Sequence, residues 1–300
     1  MPVELSSQEY ARHVSDVVWL GGVPWHPYGR ALMPLSMPHI RVEVDRADLR
    51  RAMSRKKALL ACWTTQWDAY DGSEWWWVAC DQRDYDVENL ASAAGRQSVR
   101  KGLRECSVRR VEAGEFQSLT YPIQRAAIER YGGQPPTKAG WTESVERLAA
   151  YQGAEFWGAF HEERMAAFAA CLIVDGAVDL SSAKSDPEFH RHEPNAALFY
   201  TLCKHYLNNG LGYVTNGART LSHPTSINAF LEKLGFRKVF CRVDVQLSPS
   251  ARVLEATSLA RWGQHLGLKR LFGARWLQLE SFEKLTRIAE TFGSELTHQD

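Results

Sequence analysis

Three polar side chains gather in the short segment VTNGARTLSHPTS: Asn216, Arg219 and His223. They follow a short apolar run whose C-terminal end opens at the top of a sheet, where open mixed sheets bind ligands. Asn216 and Arg219 are assigned to substrate binding there. His223 is assigned to proton transfer, because an imidazole with a reference pKa of about 6.5 works as acid or base near neutrality. In the competing reading Asn216-Gly217 is a plain turn and His223 caps or packs against the next helix. A second group, His190-Arg191-His192, precedes a helix that starts at Pro194, an arrangement suited to an anionic ligand. Two histidines at i, i+2 with no third ligand in reach do not build a metal site, and no metal is expected. A third group, Arg96, Arg100 and Arg104 with Lys101, lies along one helical face. That face would suit a phosphate or an RNA backbone, or else a solvated surface paired with acids such as Glu105. Trp75, Trp76 and Trp77, with Trp63 and Trp67, would stack a sugar or an acyl chain, or fill a core or interface.

The elements that position these groups follow from periodicity and turn chemistry. The first forty residues hold prolines and glycines without a clean period, which reads as a loop or wrapping segment. A short charged helix over 46–57 precedes two strand-like runs, 58–67 and 75–80, expected to pair as a hairpin. A long helix is expected over 86–105, a strand over 106–111, and helices over 116–131 and 143–151 separated by GGQPPTKAGW. Strands over 155–160, 164–174 and 177–184 form a meander with turns at HEE and DG. A helix from Pro194 to Asn209, a strand over 212–216, a helix over 225–234 closed by Gly235 and a long alternating strand over 236–247 follow. Helices over 251–266 and 275–292 complete the chain. No internal sequence repeat is visible, and the strands from 106 to 247 are expected in one continuous sheet.

Composition sets the outer bounds. Of 300 residues, 45% are apolar and 24% charged, as in an ordinary globular protein. Lysine plus arginine number 36 against 35 acids, so no overall field draws the chain to DNA or an anionic membrane, and DNA is excluded as a partner. The longest apolar run, Met165 to Val174, is about half of what a membrane-spanning helix needs, so no membrane span is expected. The start MPVELSSQEYARH does not read as a secretory signal, which places the protein in the cytoplasm. No pair of its six cysteines has C-x-x-C spacing, and buried thiols in a reducing compartment are expected.

From Cys106 to Leu247 the order strand, helix, helix, three strands, helix, strand, helix, strand resembles the GNAT acyltransferase superfamily, as does FLEKLGF before the last strand. Within it, the extra N-terminal region and the helix GRQSVRKGLRE are similar to the Fem-type branch, related to peptidoglycan bridge formation. The resemblance implies an α/β mixed-sheet, GNAT-like fold with an N-terminal partial or duplicated domain and C-terminal helices. It implies an N-terminal region over 1–105 with an arginine-rich linking helix, an acyltransferase domain over 106–248 and a helical extension over 249–300. It also implies transfer of an acyl group from acetyl- or acyl-coenzyme A, a cosubstrate with no permanently bound cofactor, to a small-molecule or peptide amine. Aminoacyl transfer from a charged tRNA and a non-catalytic binding domain are the alternatives. On the family's pyrophosphate loop, Arg191, Asn195 and Ala196 hold the coenzyme. Pro194 stands where the family has glycine and donates no N–H. Asp179, in the third meander strand, matches the place where a carboxylate deprotonates the amine; otherwise it follows the DGA turn and faces water. Leu231 replaces the tyrosine that often protonates the leaving thiolate.

Overall fold

The computed structural model describes residues 5–69, 71–130, 133–221, 227–256 and 281–291. His223 lies outside them, as do parts of the two helices expected after Leu247. In chain order the first elements are α1 (Ser7–Ala11), β1 (Val18–Leu20), β2 (Val23–Tyr28), β3 (Ala31–Pro34), α2 (Arg46–Lys56), β4 (Leu60–Thr65) and β5 (Trp76–Cys80). Next come α3 (Ala93–Glu105), β6 (Ser107–Arg110), α4 (Ala113–Arg130), α5 (Lys138–Ala149), β7 (Ala154–His161), β8 (Arg164–Val174) and β9 (Ala177–Ser185). The last are α6 (Pro194–Asn208), β10 (Val214–Ala218), α7 (Ile227–Lys233), β11 (Arg237–Phe240), β12 (Arg242–Leu247) and α8 (Pro249–Ala256), with a further helix over 281–291. Helix starts follow side-chain caps: Asp45 accepts the N–H groups of Ala47 and Asp48 at α2, Ser92 that of Gly95 at α3, and Thr137 that of Gly140 at α5.

The chain divides into two compact units, one of residues 1–13, 78–217 and 226–238, the other of 14–77, 218–225 and 239–300. Both are discontinuous in sequence, where the sequence reading placed boundaries at 105 and 248. Seven strands form one sheet in the order β11-β5-β10-β9-β8-β7-β6. One core of the first unit packs Phe116, Ile123, Trp141 and Val145 of α4 and α5 against Phe156, Phe160 and Phe168 of β7 and β8. Leu198, Leu202 and Tyr206 of α6 are buried as well. β8 is alanine-rich and buried along nearly its whole length, as a central strand covered on both faces must be.

The second unit holds a five-stranded sheet, β1-β2-β3-β4-β12. Trp25 is fully buried and meets Trp63 edge-on, with ring centroids 5.5 Å apart. Trp75 and Trp77 both donate their indole N–H to Thr64 Oγ1, at 3.1 and 2.9 Å. These tryptophans therefore fill and tie down this unit.

The strand orders hold a repeat that the sequence hides. A three-strand meander, a helix and a parallel strand occur as β1-β2-β3-α2-β4 and again as β7-β8-β9-α6-β10. A strand from elsewhere in the chain completes each: β12 beside β4, and β5 beside β10.

Several expectations change. The first forty residues are a helix and three strands, disguised because Pro24 and Pro27 sit within β2. β4 and β5 do not form a hairpin, since they belong to different sheets. The helix expected over 86–105 begins only at Ala93, behind a single tight turn over Val87–Asn89. The long strand over 236–247 breaks at Cys241 into β11 and β12 of different sheets, so the sheet expected from 106 to 247 omits β12 and takes in β5. The alternation of apolar residues continues through Cys241, so nothing local marks the break.

Gly102 marks where α3 crosses the start of α6. A Cβ there would lie 2.5 Å from the Glu193 carbonyl oxygen and 3.0 Å from the Ala197 nitrogen. In an open helix Gly→Ala gains about 1 kcal/mol. Here Gly102→Ala is expected to destabilise instead, by roughly 1–3 kcal/mol, because backbone must move. Urea denaturation checks the sign, and a more stable variant would contradict this packing.

Candidate active site

The seven-stranded sheet opens in its middle. β9 and β10 run parallel and share only two residue pairs, Val178 with Val214 and Asp179 with Thr215. Beyond them β9 continues to Ser185 and β10 to Ala218 with no further pair. On its other edge β9 pairs with β8 and slips register: Cys171 faces Leu180, but Ala170 faces Ser182, which leaves Ser181 unmatched. Such a bulge bends a strand and re-aims its side chains. Ser181 Oγ donates to the Ala170 carbonyl at 3.2 Å, which fixes the bulge. Thr215 is fully buried at the fork; its Oγ1 donates to the Val78 carbonyl at 2.9 Å and accepts the Gly217 N–H at 3.1 Å. Gly217, at φ 88°, takes the left-handed conformation there that glycine tolerates best.

Asp179 sits on the last pair before the fork. Its partner on β8 is Leu172, while Ala170 faces Ser182 and Phe168 faces Lys184, so Asp179, Ser182 and Lys184 share one face. Phe168 and Ala170 belong to the core with Phe116 and Trp141, so this face looks toward α4 and α5. Burial pushes the Asp179 carboxyl up to about 6. The Tyr10 hydroxyl of α1 is raised as well, by its own burial first and by the Asp179 charge second. Burial lowers the Lys184 ammonium, whose Nζ donates to the Ala183 carbonyl at 3.2 Å. A carboxyl near 6 is poised as a base at neutral pH. Tyr10, Ser181 and Lys184 escape sequence reasoning; a lone lysine in the apolar run of β9 is the one local signal.

The start of α6 is held from within. Glu193, in the left-handed region at φ 56°, is its N-cap and makes no side-chain capping bond. His192 Nδ1 bonds Glu105 Oε2 at 2.5 Å and Arg191 Nε donates to His192 Nε2 at 2.9 Å, so the Nδ1 hydrogen is the one that points at the carboxylate. The bond from His192 holds the Glu105 carboxyl below the usual range. His161 stacks on His192 with centroids 3.8 Å apart, and its Nδ1 bonds the Glu105 carbonyl at 2.8 Å. Asn195 donates through Nδ2 to Ser185 Oγ at 2.9 Å, and Ala196 is fully buried. The Glu105 carboxylate thus lies against the loop that leads into α6, whose own N-cap makes no side-chain bond to the first turn.

Asp179, Asn216, Arg191, Asn195 and Ala196 lie in the first unit; Asn216 follows Thr215, the partner of Asp179, and so stands at the fork on the opposite face of the sheet. Arg219 lies in the second. Its guanidinium stacks 4.2 Å over Trp76, donates to the Glu74 carbonyl and leaves Nε buried with no hydrogen-bond partner. Burial, and then Arg287, lower its pKa. On α3, Arg100 binds both oxygens of Glu88 at 2.7 Å and Arg96 donates to the Leu90 carbonyl at 2.5 Å, which leaves Arg104 and Lys101 as the freer part of that face.

No protein-family description matches the chain, and no curated protein does. Solved structures do. The C-terminal domain of a protein assigned as a lysylphosphatidylglycerol synthetase from Agrobacterium fabrum superposes with a TM-score of 0.55 at 13% identity, covering 85% of this chain and 98% of that one. L-PGS from Bacillus licheniformis gives 0.54 at 13% identity, over 91% and 94%. FemX gives 0.51 at 11% identity, over 80% and 90%. The chain therefore has the mixed α/β GNAT fold. Among the described residues no helix is long and apolar enough to cross a membrane.

The half-buried Asp179 carboxyl sets a stability test. Asp179 binds its proton more tightly folded than unfolded, so its favourable contribution is full below about 4 and is lost as pH rises through about 6. Asp179→Asn removes the cost of ionisation. The variant should gain roughly 1–3 kcal/mol over the parent at pH 8 and little at pH 4. Melting temperatures at both pH values check this; a variant less stable at pH 8 would show that the charged form is held by partners.

Proposed function

We propose that this protein is an aminoacyltransferase that moves an aminoacyl group from a charged tRNA to an amine, with the chemistry in the fork between β9 and β10. One observation carries the reading: the parallel ladder stops at the pair that bears Asp179, a carboxyl raised to about 6. The open edge of β9 beyond Leu180 offers backbone N–H groups to a carbonyl oxygen, and fixed donors of that kind stabilise the charge that develops during acyl transfer. The amine nitrogen attacks the aminoacyl carbonyl carbon, a C–N bond forms, and the ester C–O bond to the ribose breaks. Asp179 takes the proton from the attacking nitrogen and returns it to the departing ribose oxygen. That second role fits Leu231, fully buried where the resemblance places a tyrosine acid.

The choice of donor rests on the start of α6. Pro194 supplies no N–H, Ala196 is buried, and the Glu105 carboxylate is bonded to His192 in the loop that would receive a coenzyme A pyrophosphate. A tRNA ester needs no such cradle. The similar structures named for lysylphosphatidylglycerol synthesis and FemX agree with this choice through fold alone. The acceptor is an amine of a small molecule or peptide, and a cytoplasmic site gives access to charged tRNA.

The test supplies total tRNA charged with labelled amino acids, and separately labelled acetyl-coenzyme A, to the full chain with a pool of amine acceptors. Transfer from tRNA alone is expected, with kcat/KM rising with pH through about 6 and reaching a plateau. Asp179→Asn should lower it by roughly 10²–10⁴. Transfer from acetyl-coenzyme A alone would overturn the donor assignment, and an unaffected Asp179→Asn the role of the carboxyl.

A further inference from the structure

A cavity of about 460 Å³ in the second unit has a lining charged with one sign only. Arg30, Arg50 and Lys57 converge on it with the side chains of Ser54, Ser248 and Ser250, and no acidic side chain lines it. All three cations are exposed, and none makes an ion pair among the described residues. Each arrives from a different piece of structure. Arg30 stands at the tip of the β2–β3 hairpin, where Tyr28 pairs with Ala31. Arg50 projects from α2. Lys57 closes α2 in the left-handed conformation, at φ 53°. Ser248 Oγ accepts the Ala251 N–H at 3.2 Å, so the first turn of α8 also opens on the cavity. Its N-terminal N–H groups add to the positive potential. Three like charges lining one cavity repel one another, Asp45 offsetting Arg50 alone and from outside the lining, so an anion that joined them would relieve that cost.

A second observation stands beside the first. Tyr28, two residues from Arg30 on the same hairpin, is 77% exposed, the highest among the large hydrophobic side chains exposed in the described residues. An exposed aromatic ring next to a cationic concavity is the arrangement by which proteins bind single-stranded nucleic acid, one base stacking while phosphates meet the cations. A membrane surface would call for a flat basic face fringed with aliphatic side chains. Here the apolar lining residues Met53 and Ala58 are buried and Leu59 is half-buried, so they form the floor of a concavity and not an aliphatic fringe.

We propose that this cavity binds phosphodiester groups of single-stranded RNA, with a neighbouring base stacked on Tyr28. The identification of that RNA as donor tRNA rests on the function proposed above; RNA binding is measured without any transfer.

The experiment follows fluorescence anisotropy of a short labelled single-stranded RNA ending in CCA, across a range of salt, with the full chain. The parent should bind with a salt-dependent affinity. Combined Arg30→Gln, Arg50→Gln and Lys57→Gln should flatten the slope of log affinity against log salt by about 2, since each single-strand phosphate contact contributes about 0.7. Tyr28→Ala should weaken binding about tenfold with the slope kept. An unchanged melting temperature checks that these exposed replacements leave the fold intact. Absence of RNA binding by the parent, or a triple variant with the parent's slope, overturns the proposal. So does a triple variant that loses binding to anionic phosphatidylglycerol vesicles while RNA binding persists. If the slope change appears but tRNA donates nothing in the transfer assay, the donor assignment fails and the RNA site stands.

Discussion

Everything proposed for the fork depends on a parallel ladder that stops after two pairs. Backbone N–H and C=O groups in a sheet must be satisfied, so strands rarely part in the middle of a sheet without cause. Here the parting is built in from both sides. Ser181 bulges β9 away on one edge, and Gly217 turns the end of β10 through a left-handed conformation on the other. Thr215, bonded to Val78 and to the Gly217 N–H, fixes the point of departure. The result is a strand edge with unused hydrogen-bonding capacity beside a half-buried carboxyl.

That carboxyl is an electrostatic cost that the rest of the unit tolerates. No cation offsets Asp179, and the tyrosine beside it is raised in turn. A protein selected for stability alone would place an apolar or amide side chain there, and sites kept at such a cost are commonly functional. The start of α6 shows the opposite condition. Its loop is tied by the Arg191-His192-Glu105 series, which engages the side chains an external anion would otherwise meet there. Unused bonding capacity at the fork, together with a proline and a carboxylate-lined loop at the start of α6, directs the choice of donor.

How much of this the sequence carries depends on whether the signal is local. The meander over β7, β8 and β9, the helix from Pro194 and the helix ending before Gly235 were legible, because alternation, a proline start and a glycine stop are read from neighbouring residues. Asn216 was legible as a polar group at a strand end, and Asp179 only through the family resemblance. The three N-terminal strands were not, because prolines mask β2. The exchange of β5 and β12 between sheets has no local trace at all, since a strand's pattern reports that it pairs and not with which partner. For the same reason the repeated meander, helix and strand is plain in topology and invisible in sequence. Lys184 and Tyr10 become notable only through what lies around them, and the pairing of Arg100 with Glu88 across a turn likewise needs the fold.

The central claim is that Asp179 is a half-buried carboxyl ready to take a proton near neutral pH. The most direct measurement is its own titration, followed by carbon NMR of the side-chain carboxyl in protein labelled at aspartate and assigned with Asp179→Asn. The account predicts a midpoint near 6. A midpoint at or below the ordinary aspartate value of about 3.9 would mean that the carboxyl is solvated or paired, and would contradict the account.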